Sequence, residues 1–365
     1  MSLTFVVNTL TAWDEAPRAR HQLAFALAKK HKVIFIERNK TGRKKIDIRE
    51  IQENLSLITP YHPVDYRYRY RLPLFNEHYQ KWLFSRIKEI LGSDLVVINF
   101  DFTAHRIFSY FKHVVYYCND EFRGNSKFRN YPVEAYKSSC EKKIIKNALF
   151  CIATSRYLYE KLSKLNSHTY EIPLGASFVT SEKTEHKQKN PNVVNLCLLG
   201  VINDRQISVK LINDLLQEPT FNIMLIGSVE DAFFQKLKPK ERISAKGILK
   251  GKELMDELSK IDVGLALYNT SRINPGATPN KLWQYLAAGI PTVISEMPNL
   301  FPEDFPEKSV YVYGKTGTLR TLIFNAHQEN SEDLAGKRIA FAQNNTWDQR
   351  VEVFLERLHE NLQLL

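Results

Sequence analysis

The stretch Asn274-Pro-Gly-Ala-Thr-Pro-Asn-Lys281-Leu-Trp-Gln284-Tyr-Leu-Ala-Ala-Gly289-Ile-Pro291-Thr-Val reads as a polar loop, a short helix, a glycine stop and a new strand. Thr278 is placed to cap the helix with its hydroxyl, and Pro279 suits the first helical position, where no N–H is needed. Gly289 suits the left-handed position just past the helix, and Pro291 prevents it from continuing. Lys281 is the residue that fits badly. A cation in the first helical turn faces the positive end of the helix dipole and the free N–H groups. It makes sense if an anion sits there and uses both, as phosphates do at helix N-termini. A solvated surface lysine is the plainer reading of the same position.

The alternation of short apolar runs with helical segments extends outward over most of the chain. Residues 3–7 form a strand candidate, followed by a helix over about 16–30 with Leu23 and Leu27 on its inner face. Strands are expected over 32–37, 95–100, 114–118 and 150–154, and a helix over 155–164 capped by Ser155. Residues 181–192 are polar, charged and without periodicity, which suits a linker. A second series follows, with strands over 193–199, 221–226, 262–268 and 291–295. Residues 347–364 carry an apolar stripe of helical spacing at Val351, Phe354, Leu355, Leu358 and Leu362. This rhythm predicts an α/β protein: a domain over 1–180, the linker, a second domain over 193–345, and a terminal helix over 346–365 packing back on the first domain. Both domains should be Rossmann-like with parallel sheets. Ligands gather at the carboxyl ends of parallel strands, so the expected site is a cleft where the two domains face each other.

The 365 residues, 44% of them hydrophobic, are enough for two cores. A formal charge of +11 favours anionic partners: nucleotide phosphates, anionic lipid headgroups, acidic glycans or nucleic acid. The four cysteines have no CxxC pairing, and three lie in or beside apolar, strand-like runs, so buried free thiols are expected. The N-terminus lacks the features of a signal peptide, and no run approaches a membrane span. A cytoplasmic protein with at most peripheral contact at the inner membrane face is the expectation.

The segments 199–205, 226–228, 153–155 and 172–175 place glycines, a threonine-serine pair and a proline at strand ends. Together with 278–294, they resemble a known family in order and spacing. The chain is similar to GT-B glycosyltransferases, specifically to the family-4-like and glucuronosyltransferase-like enzymes of bacterial capsule, exopolysaccharide and teichuronic acid synthesis. The resemblance implies transfer of a sugar from a nucleotide-diphosphate sugar, UDP before GDP, to a lipid-linked or polysaccharide acceptor, with no cofactor. It places Lys281 on the donor diphosphate, Gln284 at the ribose, and Gly200, Gly227, Arg205, Thr278 and Asn280 around the donor. Glutamine stands where the family usually has the glutamate that holds the ribose. The earlier glutamate of the family's pattern falls on Gly276, and the glycine-rich loop after the first strand is absent. An epimerase of the same fold and a non-catalytic nucleotide-sugar-binding protein fit the same motif.

The first loop offers Trp13, Asp14, Arg18 and His21 as acceptor-binding residues: Trp13 to stack on a sugar, Arg18 to approach a phosphate or an acidic acceptor. The plainer reading has Asp14 cap the first helix. An inverting transfer needs a general base for the acceptor hydroxyl. Asp120 is the first candidate, Glu121 the second, Asp101 with His105 the third; a retaining transfer needs no dedicated base. No D-x-D triplet occurs, so no metal site is expected, and Lys281, Arg205 and helix N-termini would neutralise the leaving diphosphate. The basic cluster at 38–45 and the alternating Tyr/Arg run at 66–71 suit an anionic membrane face or a polyprenyl-diphosphate acceptor. The alternation at 66–71 also reads as an edge strand. Single-stranded nucleic acid would suit both segments too, but the resemblance makes a nucleic-acid partner unexpected.

Overall fold

A computed structural model describes residues 3–15, 17–69, 71–121, 131–177, 193–269, 273–315 and 317–364. The chain divides into two compact units, Met1–Pro173 with Arg350–Leu365, and Leu174–Gln349. The expected linker at 181–192 lies outside the described residues.

The first unit is built on nine strands: β1 (Thr4–Asn8), β2 (Lys32–Ile36), β3 (Lys40–Thr41), β4 (Lys45–Gln52), β5 (Leu55–His62), β6 (Val96–Asn99), β7 (His113–Cys118), β8 (Cys151–Ala153) and β9 (Thr169–Glu171). They run in the order β3-β5-β2-β1-β6-β7-β8-β9 and are parallel, except that β4 pairs with β5 antiparallel. The central strands are apolar on both faces because helices cover a parallel sheet from both sides. Phe5, Val33, Val97 and Val114 are accordingly fully buried. Helices α1 (Ala19–Ala28), α2 (Tyr66–Arg69), α3 (Pro73–Leu91), α4 (Tyr131–Asn147) and α5 (Arg156–Ser163) belong to this unit. Ser155 caps α5 as expected, accepting from the Leu158 N–H.

Two segments differ from the sequence reading. The basic run over 38–45 leads into β4, whose charged alternation hides an exposed strand. Within the Tyr/Arg run at 66–71, Tyr66–Arg69 form a one-turn helix rather than an edge strand, because the Asp65 carboxylate accepts the Arg67 N–H at 2.8 Å and starts the turn.

The second unit has six parallel strands: β10 (Val194–Ile202), β11 (Phe221–Val229), β12 (Ile243–Gly247), β13 (Val263–Ala266), β14 (Thr292–Ser295) and β15 (Val310–Tyr313), in the order β12-β11-β10-β13-β14-β15. Its helices are α6 (Val209–Leu216), α7 (Asp231–Phe234), α8 (Gly251–Leu258), α9 (Asn280–Ala287), α10 (Leu319–Gln328) and α11 (Glu332–Gln343). The last helix, α12 (Trp347–Gln363), joins the first unit from Arg350 onward. There its buried stripe of Val351, Phe354 and Leu358 sets Phe354 against Phe5 and Phe150. The strand order reverses between β1 and β6 in the first sheet and between β10 and β13 in the second, while the strands stay parallel. Outside the carboxyl ends at such a reversal, the flanking loops part and leave a crevice for a ligand.

Candidate functional site

In the second unit, the reversal is occupied by α9. Its height over the sheet is set by Tyr285, whose hydroxyl donates to the Cys197 carbonyl at 2.7 Å and lies 3.2 Å from that of Leu265. A Cβ at Gly264 would stand 2.6 Å from the Tyr285 ring, so only glycine admits it. The helix ends as the sequence predicts: Gly289 has φ 72°, and its N–H donates to Leu286 at 2.9 Å, while the Ile290 N–H donates to Tyr285 at 2.9 Å. The buried Arg338 guanidinium ties this end down, donating to the carbonyls of Gly289 (2.9 Å) and Lys308 (2.7 Å). The start of α9 differs from expectation. Pro279, not Thr278, holds the cap position, and no side chain caps the helix. Thr278 instead gives its carbonyl to the Asn280 N–H at 2.9 Å.

With the helix fixed, Lys281 is confined. A Cβ on Gly200 would lie 3.2 Å from Lys281 Cε, and a Cβ on Gly227 would lie 2.0 Å from the Gly200 carbonyl oxygen. Both glycines have φ in the left-handed region, 98° and 129°, and they pair in register within β10 and β11, which run on past the turns expected there. Lys281 Nζ is enclosed without a hydrogen-bond partner among the described residues and stands 4.9 Å from the centroid of the Tyr268 ring. Burial lowers its pKa to about 8. A buried ammonium with no counter-charge is costly. An anion entering over Gly200 would supply what is missing. One helical turn on, Gln284 shares the face of Lys281, and its Nε2 donates to Ser177 Oγ at 3.1 Å. Asn280 is exposed at the helix start; Arg205 is exposed too, its backbone N–H donating to Asn203 Oδ1 at 3.0 Å.

In the first unit, the reversal is floored by Asn8 and Asn99, joined by a side-chain hydrogen bond of 2.8 Å. Asp120 follows β7. Its carboxyl is half-buried, and burial raises its pKa to about 6 against the opposing pull of the Glu121 N–H and Arg20. Arg20, the second residue of α1, is buried over the Phe100 ring at 5.6 Å. The neighbouring candidates are tied into structure. Glu121 pairs with Lys161 at 3.0 Å, and Lys161 also holds the buried Glu141 at 2.8 Å. Asp101 pairs with the buried Arg69 at 3.0 Å and accepts from the Thr103 N–H and hydroxyl at 2.8 and 2.7 Å. His105 pairs with Glu77, and burial lowers its pKa. Of these carboxylates, Asp120 is the one without a cationic partner in contact among the described residues.

The first loop is more structural than its composition suggests. Trp13 packs against His21, Phe25 and Phe35 with centroids 5.0–5.5 Å apart, which commits much of the ring expected to stack on a sugar. Asp14 is exposed and does not cap α1, which starts at Ala19; His21 Nδ1 accepts the Arg18 N–H instead, at 3.1 Å. Burial lowers the His21 pKa to about 4, so this histidine is neutral. Arg18 pairs with Glu15, which also holds Arg38.

Residues 205–356 match the family model described as glycosyl transferase-like. The putative teichuronic acid biosynthesis glycosyltransferase TuaH of Bacillus subtilis (strain 168) is 25% identical over 217 residues, 55% of this chain and 55% of that protein; the match therefore spans about half the length of that relative. The solved structure of WaaG, a glycosyltransferase involved in lipopolysaccharide biosynthesis, superposes with a TM-score of 0.65 at 13% identity over 95% of this chain and 97% of that one. A Burkholderia xenovorans α,α-trehalose-phosphate synthase (UDP-forming) in complex with glucose-6-phosphate reaches 0.70 at 10% identity over 98% and 100%. An E. coli trehalose-6-phosphate protein bound with UDP-2-fluoro glucose reaches 0.66 at 12% over 97% and 98%. The likeness to these solved structures shows a GT-B fold. The likeness in fold covers both units, and the family match falls largely on the unit that holds Lys281.

The sequence missed three residues of these sites. Arg20 stands three residues before Leu23 and seven before Leu27, a spacing that puts it on the buried face of α1. Tyr268 and Gly264 act through the fold, which no local pattern announces. Among the described residues, no three His, Cys, Asp or Glu side chains gather as a metal site would require, and all four cysteines are buried and free.

Proposed function

We propose that this protein is a glycosyltransferase of surface-glycan synthesis that uses a nucleotide-diphosphate sugar, a UDP-sugar first. The observation that carries the reading is the enclosed, unpartnered ammonium of Lys281 at the uncapped start of α9. In this reading the donor diphosphate lies over Gly200 and Gly227, where a side chain would block it. Lys281 neutralises the charge that builds on the departing diphosphate, and the Gln284 carbonyl accepts from a ribose hydroxyl. Arg205 is a further cation near the same strand ends. The acceptor, a glycan or a polyprenyl-diphosphate-linked sugar, binds in the first unit. Its hydroxyl oxygen attacks the anomeric carbon, the bond from that carbon to the diphosphate oxygen breaks, and Asp120 takes the hydroxyl proton. Peripheral contact with an anionic membrane belongs to the same reading: Tyr68, Leu72, Leu74 and Phe75 are exposed beside the exposed Arg67 and Arg71, and no helix among the described residues is long and apolar enough to cross a membrane.

The test is a panel of UDP- and GDP-sugars incubated with the protein and detergent-dispersed polyprenyl-linked glycans, followed by release of the nucleotide diphosphate. Acceptor-dependent release from one donor supports the reading. Interconversion of the donor sugar without an acceptor would point to an epimerase, and nucleotide binding without turnover of any donor would sink catalysis.

A further inference from the structure

Arg20 is 7% exposed, yet its Nε has no hydrogen-bond partner, and its side chain makes no ion pair among the described residues. Its guanidinium rests on Phe100, the residue that follows β6, and it is flanked by Arg18, Glu15 and Asp120. Glu15 is already engaged by Arg18 at 2.9 Å and by Arg38 at 2.7 Å. Asp120 acts on Arg20 at longer range, without ion-pair contact. The residue therefore carries a desolvated charge without an ion-pair partner among the described residues, over the carboxyl ends of β1, β6 and β7. It also belongs to the first turn of the ten-residue α1. There the N–H groups of Ala19 and Arg20 have no intrahelical acceptor, while those of His21 and Gln22 are taken by the Arg18 carbonyl.

A guanidinium fork beside helix N–H groups that have no intrahelical acceptor suits an oxyanion with two oxygens to offer. We propose that Arg20, with the N-terminus of α1, is the recognition site for an anionic substituent, a carboxylate or a phosphate, on the acceptor sugar. The proposal rests on the reading of the first unit as the acceptor side. It gives the acceptor a chemical class: an acidic or phosphorylated glycan end rather than a neutral one. Asp120, next to Arg20, then stands where a hydroxyl of the same sugar would meet it.

The experiment titrates the UDP-saturated protein with glucuronate, glucose 6-phosphate and glucose, using calorimetry or ligand-observed NMR. One of the two charged sugars should bind at least tenfold tighter than glucose, and which one does so identifies the anion. Arg20→Gln should lose that preference while keeping its UDP affinity within twofold; Lys281→Ala should lose UDP affinity, a separate result that reports on the donor reading alone. Arg20→Lys retains the charge without the fork and should lose most of the preference. It serves as the test variant if Arg20→Gln does not fold. Three results overturn the proposal: no preference for either charged sugar in the wild type, an unchanged preference in the variant that folds, or a loss of UDP affinity in the Arg20 variant equal to that of Lys281→Ala.

Discussion

Replacing Lys281 by Met should make the protein more stable and unable to bind nucleotide. The ammonium is enclosed without a partner, and burial lowers its pKa from 10.5 to about 8. That gap corresponds to about 3 kcal/mol of unfavourable charge burial at pH 7. Methionine keeps the aliphatic stem but gives up the interaction with the Tyr268 ring, worth roughly 1 kcal/mol. A net gain of about 2 kcal/mol remains, which for a unit of this size raises the melting temperature by about 5 °C. The pH dependence has a definite sign. The folded pKa lies below the unfolded one, so the penalty is complete below pH 8 and fades as pH rises from 8 to 10.5. At pH 9.5 the penalty falls to about 1.5 kcal/mol, and most of the variant's advantage disappears. Scanning calorimetry at pH 7 and pH 9.5, read on the transition that UDP shifts, measures both effects. UDP at a hundred times its Kd should raise wild-type stability by about 2.7 kcal/mol and leave the variant unmoved. A variant that melts at or below the wild-type temperature at pH 7, or whose gain is the same at both pH values, would refute the reasoning.

Three other outcomes follow from the same geometry. Gly227→Ala drives a methyl into the Gly200 carbonyl at a backbone conformation that disfavours side chains; it should cost about 3 kcal/mol or more and abolish UDP binding, and a near-native melting curve would contradict it. For Asp120, kcat/KM should fall as pH drops below about 6, and Asp120→Asn should lower kcat by about a hundredfold or more with UDP affinity unchanged; full activity in the Asn variant would point to a mechanism without a protein base. Leu74→Asp with Phe75→Asp should reduce sedimentation with vesicles of anionic lipid at least fivefold without changing UDP affinity, since Leu74 is 84% exposed; unchanged sedimentation would remove the membrane from the account.

Much of this was legible in the sequence, because the parallel sheets are made of continuous apolar runs and the helix around Lys281 has a clear stop at Gly289. What escaped depends on contacts distant along the chain. Glu121 looks like a free carboxylate until Lys161, forty residues on, is seen to neutralise it. Asp14 looks like a cap, but the helix starts at Ala19, and His21 accepts the N–H of Arg18 just before it. Trp13 looks like a sugar platform, yet Phe35 from the next strand draws its ring into packing. The exposed strand β4 has no counterpart in the sequence reading, because its charges obscure the alternation of Ile46 and Ile48. Lys281 itself was suspect from its place in the first helical turn. Its enclosure beneath Gly200 needed the fold.

The most direct test is a calorimetric titration of wild-type protein and Lys281→Ala with UDP at pH 7. Saturable binding to the wild type, weakened at least a hundredfold in a variant that melts no lower, is the predicted result. UDP affinity that is equal in the two proteins would contradict the account at its centre.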